Sequence, residues 1–120
     1  MKRVVIESPF AGRGTTDEER AADAAENLRY VRACMRDSVL RGESPYASHA
    51  LLTQPGVLDD NDPNERELGI RAGFAWRDAA ELTAVYTDRG VSFGMEMGID
   101  DAGMRGRPAE RRTIPGWVSR

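Results

Sequence analysis

Met1-Lys2-Arg3-Val4-Val5-Ile6-Glu7-Ser8-Pro9-Phe10-Ala11-Gly12 opens the chain and decides how the rest is read. Val4, Val5 and Ile6 make a short β-branched run, closed by Pro9 and Gly12, as in a strand buried on both faces. A strand of that kind needs helices over it. Thr15 and Thr16 supply an N-cap, Asp17, Glu18 and Glu19 an acidic first turn, and Gly42 a stop beside Arg41, so a long helix follows. Along it Ala24, Leu28, Val31, Met35 and Val39 recur every three or four residues, with Ala21 and Cys34 flanking, and predict one apolar stripe against the sheet.

The alternation continues along the chain. Pro45-Tyr46-Ala47-Ser48-His49 reads as a brief second strand. Gln54 to Pro63 holds Pro55, Gly56, Asp59, Asp60, Asn61 and Asp62, too polar and punctuated for an element interior, and loops this long in compact domains often carry function. Asp62 caps a second helix, with Pro63 at its first position and Glu65 three residues after the cap. Leu68, Ala72 and Trp76 share one face of it, and Trp76 is expected in the core. Leu82 to Tyr86 is the third strand, Ser92 caps a third helix ending near Arg105, and Arg111 to Ile114 is a last short strand. The order β-α-β-α-β-α-β predicts an α/β fold: a single three-layer domain over residues 1–120, with a short, mostly parallel sheet of about four strands and helices on both faces.

Composition excludes several classes. The length of 120 residues fits one domain, and 17 Lys and Arg against 20 Asp and Glu leave a net charge of −3, without the basic excess of a nucleic-acid binder. The single cysteine, Cys34, allows neither an internal disulfide nor a thiolate metal site, which fits a reducing compartment. The basic, then apolar start is broken by Glu7 too soon for a signal peptide, and no apolar run approaches a membrane span. The expected location is the cytoplasm, with no membrane partner.

In open parallel sheets, ligands sit beyond the carboxyl ends of the strands. That rule selects Glu7, Ser8, Pro9, Phe10 and Gly12 after the first strand, Ser48 and His49 after the second, and Asp88, Gly90, Ser92, Gly94 and Met95 after the third. The acidic loop adds Asp60. Its aspartates lack the spacing of an EF-hand and read as turn chemistry with a helix cap. Gly90 to Met95 offers a hydroxyl and two glycines at a helix start, where free backbone N–H groups receive an anion or a polar ring, or where the glycines only permit close packing. No complete G-x-G-x-x-G pattern and no Walker-type lysine accompany it, so an ordinary dinucleotide or triphosphate site is not supported. Glu7 ends an apolar strand, where it either serves as an acid–base or hydroxyl-binding group or pairs with an arginine such as Arg13 or Arg66. His49 is the only histidine and makes a poor metal site by itself; no metal and no cofactor are expected. Phe10 is the better candidate for stacking on a ring.

Ile6-Glu7-Ser8-Pro9-Phe10-Ala11-Gly12, Glu26-Asn27, Ser48-His49 with Thr53-Gln54, Asp59-Asp60-Asn61-Asp62-Pro63-Asn64-Glu65-Arg66 with Gly69, and Ser92-x-Gly94-Met95 together resemble small bacterial and phage proteins related to nucleoside 2-deoxyribosyltransferases, a branch of Rossmann-like nucleotide-binding domains. The resemblance runs from about Arg3 to Pro108. It implies a nucleoside or nucleotide as ligand, held by the loop after the first strand. It also implies N-glycosidic bond cleavage by a glutamate nucleophile on the helix after the Gly-Ser loop, in the pattern Ser-x-Gly-Met-x-x-Glu. That glutamate falls where this chain has Gly98, and Glu96 points about 200° away on an ideal helix. Two expectations follow: a glycosidase or deoxyribosyltransferase-like enzyme with Glu7 and Asp88 as acid–base groups, or a binding module in which the same pocket works without turnover. A homodimer or larger assembly is expected, because a small sheet with few helices leaves apolar surface uncovered.

Overall fold

The computed structural model describes residues 1–119. Its elements are β1 (Lys2–Glu7), α1 (Asp17–Leu40), β2 (Glu43–Tyr46), α2 (Ser48–Leu51), α3 (Pro63–Arg77), β3 (Leu82–Tyr86), α4 (Phe93–Met104) and β4 (Ala109–Arg112). All strand pairs are parallel and the order is β2-β1-β3-β4. The chain leaves β1 for one edge, then returns past β1 to build β3 and β4 on the other side. Right-handed crossovers therefore put α1 on one face and α3 and α4 on the other. This is a three-layer Rossmann-like arrangement whose direction of winding reverses between β1 and β3. A crevice at that reversal follows from the topology.

The two faces differ in chemistry because strand side chains alternate. Beneath α1, Val4 and Ile6 of β1 and Leu82, Ala84 and Tyr86 of β3 pack with Tyr30, Val31 and Cys34 into the main apolar core. Toward α3 and α4 point Glu7 and Thr83, both bonded to Arg77 of α3.

The helix boundaries follow their caps. Thr16 accepts from Glu19 N while the Glu19 side chain returns to the Thr16 amide, a reciprocal capping box. Asp62 accepts from Asn64 N and Glu65 N with Pro63 behind it, and Ser92 accepts from Met95 N. The faces of two helices depart from the expected stripes. On α1 the buried residues are Asn27, Tyr30, Val31, Cys34 and Ser38, whereas Ala21 and Val39 are exposed. The inward turn brings two polar side chains to bonding positions: Asn27 donates to Phe10 O and Ala11 O, and Ser38 donates to Glu43. On α3, Leu68 and Trp76 are about half exposed, at 53% and 52%, and Ala72 is exposed, while Gly73 and Arg77 are buried. The helix approaches so closely that a Cβ on Gly73 would meet Ser48 Oγ at 2.5 Å, and the outward Trp76 stacks on Tyr46 at 4.9 Å.

Two strands are shifted. Gly42, at φ +88°, turns the chain directly into β2 at Glu43, so β2 ends at Tyr46 and Ser48 and His49 begin the short helix α2. β4 occupies Ala109–Arg112 rather than 111–114, in register with Thr83–Tyr86. Glu43 conceals the strand start because it is a charged residue that is buried. Its carboxylate takes two bonds from Arg112, at 2.7 and 2.6 Å, and one from Ser38 at 2.8 Å. The pair joins the two edge strands across the twisted face under α1. No helix among the described residues is long and apolar enough to cross a membrane.

Candidate functional site

A cavity of about 580 Å³ opens at the carboxyl ends of β1 and β3, at the winding reversal, a size suited to a small ligand. Glu7, Ser8, Pro9, Phe10 and Gly12 line it from β1, Ser48 and His49 from α2, Asp60 from the long loop, and Ser92, Gly94 and Met95 from the start of α4. Asp88 and Gly90 do not. The Asp88 carboxylate accepts from Tyr30 Oη at 2.5 Å and from Ile114 N, which commits it to holding the C-terminal segment against α1. Gly90, at φ +88°, makes the turn that leads from β3 to α4.

The loops around the cavity are held from below. Gly12 lies so close to α1 that a Cβ there would collide with Arg20 O and Ala24 N. Asn27 fixes the backbone at Phe10 and Ala11 and accepts from Arg89 Nε at 2.9 Å, tying the loop after β1 to the loop after β3. Arg89 also meets Asp23. The side chains that position the site thus come partly from the polar members of the buried face of α1.

Glu7 stands at the floor. Its Oε2 receives Arg77 Nη2 at 2.9 Å, and the same guanidinium binds Asp101 Oδ2 at 2.9 Å and Thr83 Oγ1 at 2.8 Å. Arg105 shares Asp101. Arg77 is 1% exposed, so removing it would leave the Glu7 carboxylate uncompensated and Asp101 with Arg105 alone. Burial pushes the Glu7 carboxyl above its ordinary range, against the pull of its bond to Arg77 and with the Asp101 charge adding to the rise. Oε1 has no partner among the described residues. Gly98 of α4 packs on this group: a Cβ added there would meet Cδ and both oxygens of Glu7 inside 3.0 Å. The Glu7 carboxylate therefore fills the space in which a side chain at position 98 would begin.

On the opposite wall Ser8 Oγ lies 2.7 Å from His49 Nε2, with the Phe10 ring edge-on to the imidazole at 6.2 Å. Burial holds the His49 pKa down to about 4, so the ring is neutral at physiological pH and offers one donor and one acceptor. Thr53 Oγ1 donates to His49 O and steadies the α2 turn. Phe93, 78% exposed, stands at the mouth with Met97. No cluster of three or more His, Cys, Asp or Glu able to hold a metal occurs among the described residues.

Sequence reading finds Glu7 but not its partner, which is Arg77 rather than Arg13 or Arg66. Gly98 is the glycine within a helix that packs on Glu7, while Gly73 on α3 marks the close approach to Ser48. Arg66, Arg77, Phe74 and Phe93 of the lining stand on helices and lack a strand-end signal.

A family model described as a domain of unknown function (DUF7768) matches residues 2–112. No curated protein matches the sequence. Among solved structures the chain is similar to a 2-deoxyribosyltransferase from the psychrotolerant bacterium Bacillus psychrosaccharolyticus, described as a biocatalyst for the synthesis of antiviral and antitumoral nucleosides. The TM-score is 0.57 at 13% identity, over 98% of this chain and 77% of that one, a likeness of fold.

Proposed function

We propose, for a chain that belongs to the DUF7768 family, that the crevice binds a nucleoside or nucleotide and that Glu7 acts on its N-glycosidic bond. The observation that carries this reading is the Glu7 carboxylate lying against Gly98 at the cavity floor. In the transferases that the sequence resembles, a carboxylate reaches the sugar from the helix position occupied here by Gly98. In this chain the Glu7 carboxylate, from the end of β1, fills the space where a side chain at position 98 would begin, and we take it as the carboxylate available to the sugar. As the bond from C1′ to the base nitrogen breaks, its electron pair leaves with the base and positive charge develops on the sugar. A fixed carboxylate stabilises that charge, either by adding to C1′ or by orienting the water that does. Arg77 holds Oε2 and leaves Oε1 to do this. Ser8, Phe10 and His49 form the wall for the sugar and base, with Ser92 and Gly94 at the α4 end.

A second reading, a binding module without turnover, is favoured by the Arg77 bond itself, which spends part of the charge on Glu7. The experiment that separates them is incubation with deoxynucleosides, nucleoside monophosphates and dinucleotides, followed by chromatography for free base and by thermal shift. Release that disappears in Glu7→Gln while binding persists supports the enzyme. A thermal shift without release leaves the binding module, and neither signal removes both.

A further inference from the structure

The cavity's charged groups divide into those the fold has used and those it has not. Of the four arginines in the lining, Arg77 is spent on Glu7, Asp101 and Thr83, and Arg89 on Asp23 and Asn27. Arg13 lies against Asp23 at 3.5 Å. The guanidinium of Arg66, in the first turn of α3, has no hydrogen-bond or ion-pair partner among the described residues. Neighbouring carboxylates are available, because Asp60 and Glu65 line the same cavity, yet neither lies within salt-bridge distance of its guanidinium. Glu65 is turned back to the amide of Asp59 at 3.3 Å, and Asp60 has no partner of its own among the described residues. The loop and the start of α3 thus present one unspent cation and one unspent anion to the cavity, outside the Glu7 cluster.

A ligand that satisfies both has an anionic end and several O–H or N–H donors. We infer that Arg66 receives the phosphate of a phosphorylated ligand, with Asp60 accepting from a sugar hydroxyl, so that the pocket selects a nucleoside 5′-monophosphate over the unphosphorylated nucleoside. The inference rests on the nucleoside reading above and sharpens it. Guanidinium geometry suits the task, since its planar fork donates two parallel bonds to phosphate oxygens.

The test titrates the full chain by calorimetry with the four deoxynucleosides and, pair by pair, their 5′-monophosphates. The expected result is tighter binding of the monophosphate, by roughly tenfold, the effect of one charge-assisted pair at an exposed guanidinium on the cavity rim. The gap narrows as salt is raised. Arg66→Ala, which leaves no buried partner stranded and melts like the wild type, brings the monophosphate down to the affinity of its nucleoside, while Arg66→Lys keeps part of the difference. Equal affinity within each pair in the wild type, or a gap that survives Arg66→Ala, overturns the phosphate assignment and leaves the nucleoside pocket standing. A folded protein that binds neither series overturns both.

Discussion

Gly98 is where one methyl group should matter most. Replacing it by alanine removes helix-interior glycine, worth up to about 1 kcal/mol in favour of the variant. It also drives a Cβ into the Glu7 carboxylate, which packs against backbone and cannot retreat without leaving Arg77. Overpacking of this kind typically costs about 1–3 kcal/mol, so the net effect is destabilising. Chemical denaturation of Gly98→Ala should show a lower midpoint, and any base release should fall with it; a variant as stable as the wild type would mean that Glu7 has room to move. His49 makes the second residue-scale prediction. The unfolded ring takes up a proton below about pH 6.5, whereas the folded ring resists it until about pH 4. Its contribution is therefore complete above pH 6.5 and is lost as the pH falls toward 4, on the order of 1–3 kcal/mol since the ring borders the cavity. Glu7 acts in the opposite sense, its raised pKa favouring the fold at low pH, but it is common to both proteins when wild type is compared with His49→Gln. The difference between their melting curves should shrink between pH 7 and pH 4.5. Glu7 and Ser8 could be placed at the cavity from sequence because they follow a parallel strand, whereas His49, expected after the second strand, lines it from α2 instead. Arg77 could not be placed, because an arginine on a helix reads as solvated unless its buried partners are known.

Helix ends were easier to read than helix faces. Thr16, Asp62 and Ser92 each sit at the N-cap their chemistry requires, because capping is satisfied within three residues of chain and needs no tertiary information. Thr16→Ala should lower stability by about 1 kcal/mol, visible in a thermal melt followed by circular dichroism, by taking the Oγ1 acceptor away from the Glu19 amide and leaving only the backbone half of the capping box. Faces depend on what lies opposite. An apolar stripe through Leu28, Val31 and Met35 predicts a helix correctly but not its rotation, which Asn27 and Ser38 settle by reaching the loop after β1 and Glu43. On α3 the apolar residues Leu68 and Trp76 face outward, and the inward face holds a glycine and an arginine. Hydrophobic periodicity has no means of anticipating a polar cluster that substitutes for an apolar core.

At the scale of the whole molecule, the winding reversal between β1 and β3 determines where the cavity opens; the alternation of elements predicts a parallel sheet with ligands at its carboxyl ends but leaves the strand order, and so the place of the reversal, open. The outward apolar residues of α3, with Trp76 stacked on Tyr46, are where the expected homo-oligomer would form. Sedimentation should give a mass above that of one 13.3 kDa chain, and Trp76→Glu should return it to the monomer; a monomeric wild type sinks the expectation. The pair of Glu43 and Arg112 carries a consequence for dynamics. Edge strands ordinarily open first, and β4, with three of its four residues exposed, would be the first to fray. Opening it, however, strands a buried carboxylate on the far side of the sheet. Amide hydrogen exchange should therefore find β4 protected to nearly the same degree as β2, and Arg112→Met should speed exchange at both borders of the sheet together, two margins with two strands between them breathing as one.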